Sequence, residues 1–143
     1  MSQNKPIILL DPYPRTMDLL FSKENLKYLK NNFKLITAPN KNKNNFYEKN
    51  LLKADYIFGQ PNLPSSLISK STKLKAIFNV ESNFMDNMDY DYCFRNGIHV
   101  LATSPVFAQP VAEMAIGLTL SIARSIHIAH LDFISKKEKY GGA

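Results

Sequence analysis

One feature constrains this chain more than any other: short apolar runs recur between stretches patterned like helices. The runs are residues 6–10, 33–37, 55–58, 74–78 and 98–101. Each is too short for a core helix and is bounded by Pro, Gly, Asn or Asp, so each reads as a buried strand. Between them, residues 15–31 read as one helix with Leu19, Leu20, Leu26 and Leu29 as its apolar stripe. Residues 46–52, 64–69 and 89–95 read as shorter helices, the last closed by Asn96 and Gly97 as a left-handed cap. Residues 39–45 are rich in Asn and Lys and read as a surface loop. Strands alternating with helices predict an α/β fold, an open parallel sheet of five strands with helices on both faces. Right-handed crossovers bring the strand carboxyl ends to one edge, where such sheets bind ligands. Four segments therefore matter for function: residues 11–13, 60–62, 79–83 and 102–105.

Length and composition agree with one domain's worth of core. The chain has 143 residues, 45% of them hydrophobic, and a single cysteine, Cys93. One cysteine excludes a disulfide framework and a multi-cysteine metal site, so no metal is expected. No uninterrupted run of about 18 apolar residues occurs, so no membrane span is expected. The first residues lack the apolar core of a secretion signal, and the expected compartment is the cytoplasm.

The net charge is +6, concentrated early. Residues 1–75 hold 13 Lys+Arg against 5 Asp+Glu. These lysines fall singly along helices (Lys23, Lys27, Lys30, Lys34) or in the Asn-rich loop, and only three basic residues are Arg. That is the pattern of a solvated face, and no nucleic acid is expected as a partner.

The last element is read as a helix over residues 110–135 with Pro110 in its first turn. Val111, Met114, Ile116, Leu118, Leu120, Ile122, Ile126 and Ile128 cover nearly its whole circumference. A helix apolar all round must be buried on more than one side. A second domain or a second subunit is therefore expected against it, and the chain is expected to be a fragment.

Four ordered blocks carry a family resemblance. They are residues 74–89 (LKAIFNVESNFMDNMD), 95–101 (RNGIHVL), 103–105 (TSP) and 111–124 (VAEMAIGLTLSIAR). In their order and spacing the chain resembles the D-isomer-specific 2-hydroxyacid dehydrogenases. Residues 1–73 agree in strand–helix order but carry no diagnostic motif.

The resemblance implies a flavodoxin-like substrate (catalytic) domain over residues 1–104. A hinge and long interdomain helix follow over residues 105–143, leading toward a nucleotide-binding domain. It implies NAD or NADP as cofactor, a small 2-oxo or 2-hydroxy acid as substrate, and a homodimer through residues 110–135. The family's catalytic Arg, Glu and His are implied to lie beyond this chain, so no catalytic residue is assigned here. The five glycines are scattered at Gly59, Gly97, Gly117, Gly141 and Gly142 and form no phosphate loop.

The substrate carboxylate is implied to sit on the loop Asn79, Val80, Glu81, Ser82 and Asn83. The family's usual glycines are absent there, and Asn, which tolerates left-handed backbone, could turn the loop instead. Glu81 would repel a carboxylate unless it points away or meets a cation. Ser104 carries over as a cofactor contact in a hinge that Pro105 should hold extended.

The remaining polar candidates have blander readings. Glu113 reads as a first-turn acid of the long helix, and Arg124 as structural. His99 reads as a strand residue, with His127 and His130 late on the long helix. Cys93 reads as packing. Asp11 either caps the next turn or lines the cleft. A receiver domain is disfavoured because residues 58–60 (FGQ) lack the phosphoacceptor Asp. A flavodoxin is disfavoured because residues 11–14 (DPYP) cannot cradle a phosphate. A non-enzymatic dimerisation or ligand-binding module remains the rival from another class.

Overall fold

A computed structural model describes residues 5–138. Five strands form one parallel sheet: β1 (Ile7–Asp11), β2 (Lys34–Thr37), β3 (Tyr56–Gly59), β4 (Ala76–Phe78) and β5 (His99–Leu101). Their order across the sheet is β2-β1-β3-β4-β5. This is the flavodoxin-like order, and its switch point lies between β1 and β3. The expected α/β class and strand number are observed.

Because the chain steps one way from β1 to β2 and the other way afterwards, right-handed crossovers split the helices between the two faces. Strand alternation shows both faces. Leu9, Ile57, Ile77 and Val100 point to one, where they pack with Tyr47, Leu51, Leu67, Ile68 and Cys93. Most of these side chains are fully buried, each contributing about 1.5–3 kcal/mol. Ile8, Leu10, Tyr56, Phe58 and Phe78 belong to the other face, with Phe21, Leu29 and Phe33 beside them around an open apolar groove of about 380 Å³. Phe21 meets Phe58 at 5.0 Å between ring centroids. The crossover from β1 to β2 supplies Phe21, Leu29 and Phe33 as cover there.

That crossover differs from the single helix expected over residues 15–31. It is two helices, α1 (Met17–Leu20) and α2 (Lys23–Asn32). Ser22 interrupts them because its hydroxyl accepts the Asn25 N–H and caps α2. The break throws Leu19 into solvent, while Leu20, Leu26 and Leu29 are half-buried. The helix α3 (Lys43–Asn50) starts inside the expected surface loop and ends in a 3₁₀ turn, Leu51–Lys53. Two shorter helices follow, α4 (Ser65–Ile68) and α5 (Tyr90–Arg95). Asp89 caps α5 by accepting the Tyr92 N–H. Ser65 and this N–H, in that order, hold its carboxyl below the usual range. Gly97 takes the left-handed conformation expected of it.

The C-terminal region corrects the sequence reading twice. The helix begins at Ser104, six residues early, and it is broken: α6 (Ser104–Ala123) gives way to α7 (Ile126–Ile134). Ser125, left-handed at φ 51°, makes the break. Pro105 falls in the first turn of α6, where its missing N–H costs nothing, so Ser104 is helical and not part of an extended hinge. Pro110 lies inside α6. Length and composition alone would let α6 cross a membrane, with a mean hydropathy of 1.5. Gln109 and Glu113 interrupt its apolar residues without lowering that mean much. The chain divides into two compact units, Met1–Ser104 and Pro105–Ala143. No α6 or α7 side chain is buried.

Candidate functional site

The carboxyl edge of the sheet collects the polar side chains. At its centre β1 ends in Asp11 and β3 in Gly59, paired in register. Gly59 sits at φ +148°, and a Cβ there would lie 2.3 Å from the Asp11 carbonyl oxygen. Only glycine allows that approach.

Asp11 is 5% exposed, and its carboxylate is fully engaged. Lys43 Nζ donates to Oδ1 at 2.6 Å, and the Tyr47 hydroxyl donates to Oδ2 at 3.2 Å. Lys43 also lies 5.1 Å from the centre of the Tyr13 ring. Burial, then the Asp11 charge, push the Tyr47 hydroxyl far above its ordinary value, so it remains a donor. Asp11 does not cap the next turn, because both carboxylate oxygens are taken by Lys43 and Tyr47. It anchors α3 to the end of β1, which the wide sequence spacing of Asp11, Lys43 and Tyr47 concealed.

The loop after β4 is fastened from three sides. Arg15 follows a turn in which its N–H bonds the Pro12 carbonyl, and its Nε donates to Glu81 Oε1 at 3.2 Å. Gln60, just past β3, donates Nε2 to the Asn83 carbonyl at 2.7 Å. The Ser104 hydroxyl donates to the Ser82 carbonyl. All three lie on segments that follow strands, Arg15 after β1, Gln60 after β3 and Ser104 after β5. Gln60 falls in the segment 60–62 that the sequence marks for function, whereas Arg15 lies just outside the segment 11–13, where the sequence reads it as the start of a helix.

Within the loop, Asn79 is 1% exposed and Val80 is buried. The Asn79 N–H bonds the Leu101 carbonyl at 2.8 Å. Neither polar atom of its side chain finds a partner among the described residues, and Gln60 Oε1 and Thr103 Oγ1 are likewise buried and unpaired. Such atoms call for a polar ligand or solvent. The backbone N–H groups of Val80, Glu81, Ser82 and Asn83 find no acceptor among the described residues either. Asn83 is not left-handed. Positive φ among non-glycine described residues is confined to Asn42, Ser125 and Lys136. The loop turns through a succession of bends held by the three fastenings.

The other candidates lie elsewhere. Glu113 is the tenth residue of α6, not in its first turn, and accepts a hydrogen bond from Gln109. Arg124 falls in the break between helices. His127 is in the first turn of α7 and His130 in its middle, so the dipole at a helix end does not account for them. His99 is on β5, exposed. Cys93 is fully buried on α5, and burial pushes its thiol up to about 11, as packing would. No cluster of three metal-ligating side chains occurs among the described residues.

No protein-family model and no curated protein matches this chain. Solved structures do. A phosphoglycerate oxidoreductase from Rhizobium etli is 38% identical, with a TM-score of 0.82 over 96% of this chain and 43% of that one. Two others share the fold at lower identity. The NADPH-dependent glyoxylate/hydroxypyruvate reductase of Sinorhizobium meliloti, solved with NADP and malonate, is 21% identical. Its TM-score is 0.60 over 93% of this chain and 39% of that one. The D-lactate dehydrogenase of Aquifex aeolicus, solved with NAD and lactic acid, is 24% identical, with a TM-score of 0.55 over 95% and 39%. This chain spans less than half the length of each. By sequence and fold, then, the chain is similar to part of a phosphoglycerate oxidoreductase, and the solved structures that share its fold include D-2-hydroxyacid dehydrogenases.

Proposed function

We propose that residues 1–104 are the substrate-holding part of an NAD(P)-dependent D-2-hydroxyacid dehydrogenase. The whole protein would move a hydride between a nicotinamide and a 2-oxo or 2-hydroxy acid. The observation that carries this reading is the loop after β4. It offers unpaired backbone N–H groups at residues 80–83, beside the buried unpaired amide of Asn79. Backbone amides suit a carboxylate because they supply strong donors with no proton to titrate.

The chain's own residues do not fit a dinucleotide. Ser104, the one carried-over contact, already donates its hydroxyl to the Ser82 carbonyl. The sequence has no glycine-rich turn before a helix, so no step is assigned through the cofactor here. Residues 105–143 would then lead toward the part of the protein that holds it.

The direct test is an amide NMR titration of the ¹⁵N-labelled chain with oxamate, a stable 2-oxo acid mimic. Shifts confined to residues 79–83 and their neighbours are the expected result. Saturation with no shift there, or shifts elsewhere, would overturn the reading.

A specific observation also supports a homodimer through residues 110–135. Val111, Met114 and Ile122 are 63%, 68% and 71% exposed, in a helix pair with no buried side chain. Contiguous apolar surface of this kind marks an interface. Sedimentation equilibrium is expected to show a dimer, and the pair Met114→Glu and Ile122→Glu to yield a monomer. A wild-type monomer with a dispersed spectrum would refute it. A dimer that binds no oxamate would favour the non-enzymatic module.

A further inference from the structure

Glu81 poses an electrostatic problem. It is an acid in the middle of a loop read as a carboxylate grip, where its charge would repel the ligand. The structure supplies the answer from 66 residues away: Arg15 Nε lies 3.2 Å from Glu81 Oε1. The side chains are 45% and 33% exposed. An ion pair this wet adds little to stability. An unpaired carboxylate in that loop would nonetheless raise the free energy of an anion bound there. Lys43, the other cation paired at this sheet edge, is engaged by Asp11 at 2.6 Å.

We infer that Arg15 is a positioning residue of this site, cancelling the Glu81 charge so that the loop accepts the carboxylate of a 2-oxo acid. The inference rests on the reading of residues 79–83 as the carboxylate grip. Arg15 here acts through Glu81 and does not touch the ligand. Its removal should therefore be reversible by removing Glu81 as well, which a merely structural or a ligand-contacting arginine would not allow.

The experiment extends the oxamate titration to Arg15→Gln, Arg15→Lys, Glu81→Gln and the Arg15→Gln/Glu81→Gln double variant. Each variant's amide spectrum serves as a check of fold. Arg15→Gln should bind oxamate about five- to tenfold more weakly, with the deficit shrinking as salt is raised. Arg15→Lys should lose less than about twofold, because it keeps the charge. Glu81→Gln leaves Arg15 uncompensated and should tighten binding about threefold. The double variant should return to within about twofold of wild type.

An Arg15→Gln variant that binds like wild type would overturn the inference while leaving the grip intact. So would a double variant as weak as Arg15→Gln, which would place Arg15 on the ligand itself. Should Arg15→Gln fail to fold, Glu81→Gln decides alone, and weaker binding there refutes the idea. A wild-type chain whose loop amides do not respond overturns the grip, and the inference with it.

Discussion

Gly59→Ala is expected to destabilise the sheet unit by about 3 kcal/mol, through strain and overpacking together. The new methyl would start 2.3 Å from the Asp11 carbonyl oxygen and 2.9 Å from its carbon, both backbone atoms. Neither can move without parting β1 from β3, where Asp11 and Gly59 are in register. The backbone at φ +148° is itself rarely adopted by an L side chain. Gly97→Ala is the control. It also has a positive φ, +70°, but nothing lies within 4 Å of the added carbon. Its cost should be only about 1–2 kcal/mol, that of the left-handed backbone. Chemical denaturation of the two variants separates the contributions. Equal losses would mean that β1 and β3 yield easily at this point. Because Gln60 follows Gly59 directly and holds the Asn83 carbonyl, the first variant should also shift the loop amides.

Lys43→Met is expected to cost about 2–3 kcal/mol. Removing one member of a buried pair strands the other, a loss of about 3–5 kcal/mol when both are enclosed, and Lys43 is one-third exposed, which reduces it. Asp11 would then keep only the Tyr47 hydroxyl, itself a reluctant acid in that surrounding. Adding Asp11→Asn to Lys43→Met should restore most of the loss, since an amide carries no charge to strand. Thermal or denaturant unfolding of the four-member cycle measures this. A Lys43→Met variant within about 0.5 kcal/mol of wild type would show that the ammonium contributes only as a surface charge does.

The two clusters at the sheet edge differ in how far the sequence disclosed them. The loop of Asn79, Val80, Glu81, Ser82 and Asn83 was legible, because it follows an apolar run and strand ends form the ligand edge of a parallel sheet. Its charge balance was not, because Arg15 lies 66 positions from Glu81. The Asp11 anchor was hidden for the same reason, its partners standing 32 and 36 positions away. Side-chain partners brought together by parallel crossovers leave no local pattern.

Helix boundaries show the same limit at short range. A continuous apolar periodicity over residues 15–31 concealed the break at Ser22, where one hydroxyl captures an N–H and starts a new helix. Pro110 suggested a start for the last helix, yet Pro105 occupies the first turn instead, and a left-handed Ser125 divides what periodicity joins.

By itself, then, the sequence determined the α/β class, the five strands and the edge at which polar residues gather. Apolar period and turn residues are local properties, and they suffice for that. The tertiary structure alone decided which cation meets which acid, how closely β1 and β3 approach at Gly59, and which polar atoms remain unpaired. Those depend on register and on the direction of each crossover, and only the folded sheet sets them.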